Sequence, residues 1–80
     1  MIVEYDKSFL KSIDKIRDSA INAKIENLII EYENIFSINE LKNTKKLTGY
    51  KNYYRTRIGD YRLGFELITP TTIRLILIFA

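Results

Sequence analysis

Three arginines on a short segment are the residues most able to do chemistry here: Arg55, Arg57 and Arg62, in Lys51-Asn52-Tyr53-Tyr54-Arg55-Thr56-Arg57-Ile58-Gly59-Asp60-Tyr61-Arg62. Two alternating runs joined by Gly59-Asp60 read as a β-hairpin, and Gly in first place predicts a type II′ turn. The register follows: Ile58 opposite Tyr61, Arg57 opposite Arg62, Thr56 opposite Leu63, Arg55 opposite Gly64 and Tyr54 opposite Phe65. Alternation then separates two surfaces. Tyr54, Thr56, Ile58, Tyr61, Leu63, Phe65 and Leu67 form a core face, and Lys51, Tyr53, Arg55, Arg57, Arg62, Gly64 and Glu66 form a cationic one. Like charges directly opposite each other destabilise a sheet by roughly the 0.2–1 kcal/mol that opposite charges gain. A chain selected for stability alone would avoid the Arg57–Arg62 pair, and such local rule-breaking accompanies function. A plainer reading is that arginine stems cover a solvated sheet face.

The rest of the composition narrows the chemistry. The 80 residues carry a net charge of +3, with no cysteine and no histidine. Disulfides and thiolate metal sites are thereby excluded, as are the usual general base and the commonest metal ligand. Catalysis would have to use Lys, Arg, Tyr or carboxylates, and no metal or cofactor is expected. Between Lys42 and Arg62 the cations are Lys42, Lys45, Lys46, Lys51, Arg55, Arg57 and Arg62, against Asp60 alone. Such a basic patch points to an anionic partner, either nucleic acid or an acidic protein. The N-terminus lacks the apolar segment of a signal peptide, and the stretch from Ile73 to Ala80 is too short to span a bilayer, so a cytoplasmic location is expected.

The elements that must hold these residues are legible in order. Residues 1–80 make one domain. Met1 to Tyr5 reads as a first strand, and Asp6 as the N-cap of a helix presenting Phe9, Leu10, Ile13 and Ile16, ending near Arg17-Asp18. Asp18 or Ser19 caps a second helix with Ile21, Ile25, Leu28, Ile29, Tyr32 and Phe36 as its buried stripe, antiparallel to the first. Ser37 to Glu40 matches a capping box that turns Ile38 and Leu41 inward. Lys42, Lys45 and Lys46 then read as a solvated basic loop, and Gly49 as a bend at strand entry. Pro70 sets a turn over Thr69 to Thr72. The last strand, from Ile73, is apolar on both faces, which suits the inside of a sheet; being terminal, it is also a candidate exposed edge. The expected fold is α+β: a helical hairpin on one face of a twisted, mainly antiparallel four-stranded sheet, in the order β-α-α-β-β-β.

Lys46-Leu47-Thr48-Gly49 followed by Tyr53-Tyr54-Arg55-Thr56-Arg57-Ile58-Gly59-Asp60-Tyr61-Arg62-Leu63 resembles the signature of the RelE/ParE toxin superfamily of bacterial type II toxin–antitoxin systems. The resemblance extends over nearly the whole chain. It implies either a ribosome-dependent endoribonuclease that cuts mRNA in the A site, as in the RelE branch, or a gyrase poison that cuts nothing, as in the ParE branch. In both branches an antitoxin wraps the toxin, and the complex commonly binds its own operator DNA. Carried over by position, Arg55, Arg57 and Arg62 are the catalytic residues that contact the scissile phosphate, and Lys46 and Lys51 are additional RNA-binding cations. RelE-type chains continue past the final strand with an arginine and a tyrosine. This sequence stops at Ala80, which implies a domain without that C-terminal tail.

RNA can be cut without metal by attack of its own 2′-OH on the adjacent phosphate. Arginine forks match phosphate oxygens and can offset charge on the phosphorane. Tyr53 is either a base-stacking, RNA-binding residue or an ordinary exposed strand tyrosine. Because arginine stays protonated, Lys51, Lys46, Glu66 or the ribosome itself must handle the proton. Two classes stay open: an mRNA endoribonuclease, and a non-nuclease or truncated toxin that only binds its target or antitoxin.

Overall fold

The computed structural model describes residues 1–80. Its elements are β1 (Ile2–Tyr5), α1 (Lys7–Asp14), α2 (Ser19–Asn34), a 3₁₀ turn (Ile38–Glu40), β2 (Thr44–Lys46), β3 (Tyr53–Ile58), β4 (Tyr61–Thr69) and β5 (Thr72–Phe79). The five strands lie in the order β1-β5-β4-β3-β2. β1 runs parallel to β5, and every other pairing is antiparallel. The sheet has one strand more than the four expected. The extra strand, β2, comes from the stretch read as a solvated loop, where Thr44 and Lys46 pair with Thr56 and Tyr54.

The hairpin forms in the expected register, from Ile58↔Tyr61 to Tyr54↔Phe65, and continues to Tyr53↔Glu66. Of its two turn residues only Gly59 takes a positive φ, 57°, which is the backbone of a type II′ turn. The terminal strand β5 lies between β1 and β4 and so is no edge. Parallel pairing with β1 covers one side of β5 and the antiparallel β4 covers the other. The edges are β1 and β2.

Both helices lie on one face of the sheet. α1 packs on β5, while α2 meets β1 and β3. Phe9, Ile25 and Tyr32 from the helices meet Ile58, Leu63, Phe65, Ile73, Leu75 and Ile78 from the sheet in one buried cluster. Each large side chain buried there contributes about 1.5–3 kcal/mol. The Phe65 ring is central, 5.4 Å from Tyr32 and stacked at 5.5 Å on Tyr54. Asp6 and Asp18 cap the two helices, and the capping box at Ser37 and Glu40 is formed.

Some apolar positions fall outside this cluster. α1 ends at Asp14, short of Arg17-Asp18, and Leu10 on its flank is 52% exposed. Phe36, expected in the α2 stripe, is 87% exposed. The helix stops at Asn34, and Ile35 turns extended (φ −91°, ψ 160°), so helical spacing no longer governs where Phe36 points. The Met1 ammonium meets the end of this helix, donating to the carbonyls of Tyr32, Glu33 and Ile35 at 3.0, 3.1 and 2.6 Å. A cation there complements the helix dipole.

α1 is stitched to β5 by two serines. The β4–β5 register skips Ile76, a β-bulge that leaves its carbonyl outside the ladder. Ser8 Oγ lies 2.5 Å from that carbonyl and 2.5 Å from Asp6 Oδ2, and donates its single proton to one of them. Ser12 Oγ donates to Phe9 O and accepts from the Ile78 N–H at 3.1 Å. No helix is long and apolar enough to cross a membrane.

Candidate functional site

The helix-free face of the sheet reads as three rows across the strands. In the first, Arg57, Arg62 and Phe79 are successive partners on β3, β4 and β5. In the second, Lys45, Arg55, Gly64 and Leu77 run from β2 to β5. The third is Tyr53, Glu66, Arg74 and Glu4, reaching β1. Charge is sorted by row. The third alternates in sign and holds the single ion pair of the fold, Arg74 to Glu4 at 3.2 Å. The first two contain four cations and no carboxylate.

Those four cations, Lys45, Arg55, Arg57 and Arg62, line a pocket of about 300 Å³ with Asn43. Neighbouring strands are about 4.8 Å apart and same-face residues along a strand about 6.6 Å, so the cationic stems rise from a compact square. Two of the three arginines are held by backbone rather than by acids. Arg57 Nε donates to Gly59 O at 3.4 Å, and Arg62 Nη1 to Tyr61 O at 3.1 Å. Each guanidinium has five N–H donors, so most of them are left without a protein partner. Gly64 offers less free room than its missing side chain implies, because the Phe79 ring lies 3.9 Å from where a Cβ would stand.

The β2 wall of the pocket is anchored from the core. Tyr32 OH donates to Thr56 Oγ1 at 2.7 Å, and Thr56 Oγ1 lies 2.8 Å from Thr44 Oγ1. Thr44 spends its proton on Lys42 O, so Thr56 donates to Thr44, and the chain runs in one direction from α2 to β2. Burial raises the Tyr32 phenol well above its ordinary pKa, so it stays a donor. Asn43, with a left-handed φ of 55°, ends the wall, and its carbonyl accepts from Arg57 N at 2.9 Å.

No family model matches the sequence. The chain is 40% identical over 74 residues to Toxin RelE3 of Methanocaldococcus jannaschii, covering 91% of this chain and 83% of that protein. The chain belongs to the RelE toxin family. Among solved structures it is similar to the RelB–RelE antitoxin–toxin complex from Methanococcus jannaschii, with a TM-score of 0.82 and 33% identity over 95% of this chain and 87% of that one. The intact E. coli RelBE toxin–antitoxin complex shares the fold at a TM-score of 0.67 and 21% identity, over 96% and 92% of the two chains.

Within this RelE-family fold, the site residues expected from sequence divide into two groups. Arg55, Arg57 and Arg62 meet at the pocket, and Tyr53 lies one row from Arg55 on the same face. Lys46 and Lys51 stand apart from them. Lys46 pairs with Tyr54 and belongs by alternation to the opposite face. Lys51 precedes β3 in a turn where Asn52 takes a φ of 65°, which breaks the alternation that would have carried it to the arginine face. Both lysines instead line a loop hollow of about 450 Å³ with Leu47, Thr48, Gly49 and Tyr50. Glu66 forms no ion pair with Arg55. Lys45 and Asn43 complete the pocket and were not expected there. The available signal was β-branched Thr44 opening a short strand, from which alternation puts Lys45 beside Arg55.

Proposed function

We propose that this RelE-family toxin is a metal-independent endoribonuclease that cuts mRNA on the ribosome and so stops translation in the cytoplasm. The observation that carries this reading is the pocket of Lys45, Arg55, Arg57 and Arg62, four cations with no acid among them. Arg57 and Arg62, directly opposed, clamp the non-bridging oxygens of the scissile phosphate. Arg55 and Lys45 stand one row away and take the neighbouring phosphate. The substrate's own 2′-OH attacks phosphorus and gives its proton to a base, the P–O5′ bond breaks, and the departing O5′ takes up a proton. The products are a 2′,3′-cyclic phosphate and a 5′-OH, and the arginines offset the charge gained by the phosphorane. Arginine stays protonated, so in this reading Lys45 is the lining side chain that supplies the proton to the departing O5′. An antitoxin that wraps the toxin would block this face, and the complex would bind operator DNA.

Primer extension on translated mRNA in induced cells tests the reading. The expected result is cleavage within codons, reduced about 10²- to 10³-fold by Arg57→Ala or Arg62→Ala, the usual loss for one transition-state donor. Gyrase-linked DNA breaks with intact mRNA would overturn it. One observation favours a second reading, a toxin that grips an anionic target without cutting it. The pocket lining holds no carboxylate, and the chain contains no histidine.

A further inference from the structure

We propose that Tyr53 and Tyr50 form a nucleobase platform, which holds the base of the RNA nucleotide next to the phosphate in the arginine pocket. This inference rests on the RNA reading above and names a second subsite for it.

The first observation is an exposed aromatic that the fold does not use. Tyr50 is 63% exposed and packs against no part of the core. It is nevertheless ordered towards Tyr53, with ring centroids 6.3 Å apart and planes at 78°. Two left-handed residues, Gly49 (φ 82°) and Asn52 (φ 65°), fold the loop back to make this contact. Hydrogen bonds from Leu47 N to Tyr53 O at 2.8 Å and from Leu67 N to Asn52 O at 2.8 Å hold its base.

The second observation is spacing. Arg57, Arg55 and Tyr53 follow one another on the same face of β3, each step about 6.6 Å. That is close to the separation of successive phosphates in an extended single strand. A strand with one phosphate at Arg57–Arg62 brings the next to Arg55 and Lys45, and the following base over Tyr53. Lys51 lies beside Tyr50 in the loop hollow, where it can meet the outgoing backbone. Aromatic faces are the usual means of holding single-stranded RNA.

Phe79 is the competing aromatic, since it borders the pocket beside Arg62. Its ring already rests over Gly64, and its same-face neighbour on β5 is Leu77, not a cation. The route along β3 therefore matches nucleic acid better than the route across to β5.

The test is binding of a 2′-fluoro RNA pentamer, which lacks the attacking hydroxyl, against the same backbone with all bases removed. The full chain is titrated in low salt as wild type, Tyr50→Ala/Tyr53→Ala, Arg57→Ala/Arg62→Ala and Phe79→Ala. The tyrosine variant should lose roughly 5- to 150-fold in affinity for the pentamer, the usual worth of one base stack, and nothing for the abasic strand. The arginine variant should weaken for both ligands. Equal pentamer affinity in the tyrosine variant overturns the platform, as does equal loss on both ligands. A base-dependent loss in Phe79→Ala instead of the tyrosine variant overturns it too, as does wild type that binds no pentamer. Full affinity in the arginine variant, with the tyrosine loss intact, removes the phosphate-pocket reading while the platform stands. Tyr50 is exposed and Tyr53 half-buried, and unfolding curves matching wild type certify the variants.

Discussion

Replacing Arg57 by Gln should make the protein more stable and less active. Arg57 and Arg62 are direct cross-strand partners with no acid beside them. Two unit charges about 5 Å apart in a water-like dielectric repel by roughly 0.8 kcal/mol, and measured like-charge pairs across strands cost about 0.2–1 kcal/mol. Against this, the substitution removes the 3.4 Å Nε bond to Gly59 O, which is exposed and long and so worth a few tenths of a kcal/mol at most. Gln keeps most of the stem that covers the sheet. The net expectation is a gain of roughly 0.2–0.8 kcal/mol at low salt, or about 1–6 °C in Tm for a domain of this size. The gain should fade in 1 M NaCl, where the Debye length is about 3 Å. Inorganic phosphate should do the reverse and raise the wild-type Tm more than the variant's. Ligand at ten times its Kd adds about 1.4 kcal/mol to whichever form binds it. Thermal unfolding at two salt concentrations, with and without phosphate, reads all of this. A lower Tm for Arg57→Gln at low salt, or a gain indifferent to salt, would refute the claim that the pair is held at an electrostatic cost.

Other outcomes follow from the α1–β5 seam. Ser12→Ala leaves the Ile78 N–H without the hydroxyl it donates to, and should cost about 1–3 kcal/mol in urea unfolding. Asp6→Asn should alter pH dependence. The Ser8 hydroxyl, and after it the Ser8 backbone N–H, hold the Asp6 carboxyl below its ordinary pKa, with Arg74 and Lys7 helping less and desolvation opposing. A folded-state pKa below the unfolded one gives stability that is complete above about pH 4 and lost as pH falls through the folded value. The wild type should therefore exceed Asp6→Asn at pH 7, and the two should converge on acidification. Chemical unfolding at pH 7 and pH 2.5 checks it, and a gap that persists at pH 2.5 would contradict the assignment.

The parts of the fold that sequence reveals are those where a period repeats over enough residues. β3 and β4 alternate for six residues on each side of a two-residue turn, and parity alone put Arg57 opposite Arg62. β2 has three residues, two of them lysines, and lies at a sheet edge. So short a segment has no readable period, and edge strands commonly carry lysine in any case. The same limit explains the site. Its three arginines lie on the legible hairpin, but the wall opposite lies on β2. Choosing Lys45 over Lys46 is a one-residue decision about parity. Lys51 failed for a related reason, since Asn52 at φ 65° resets the alternation and the residue type alone does not announce that. Phe36 shows the helical version, where the spacing ran two residues past the point at which the helix ends.

The third row of the open face bears on whether the arginine pocket is merely a solvated surface. There the same sheet, on the same face, sets Glu66 next to Arg74 and Arg74 next to Glu4, and closes an ion pair. Alternating signs across strands is the arrangement that stabilises. One row away, Gly64 sits between Arg55 and Leu77, a position where an acid would have neutralised the cluster. A further row on, the partner of Arg57 is another arginine. Stems covering a wet face would be served as well by the neutralised pattern. Within these three rows the uncompensated charge is confined to the residues that converge on one pocket, and the electrostatic cost falls where an incoming anion would repay it.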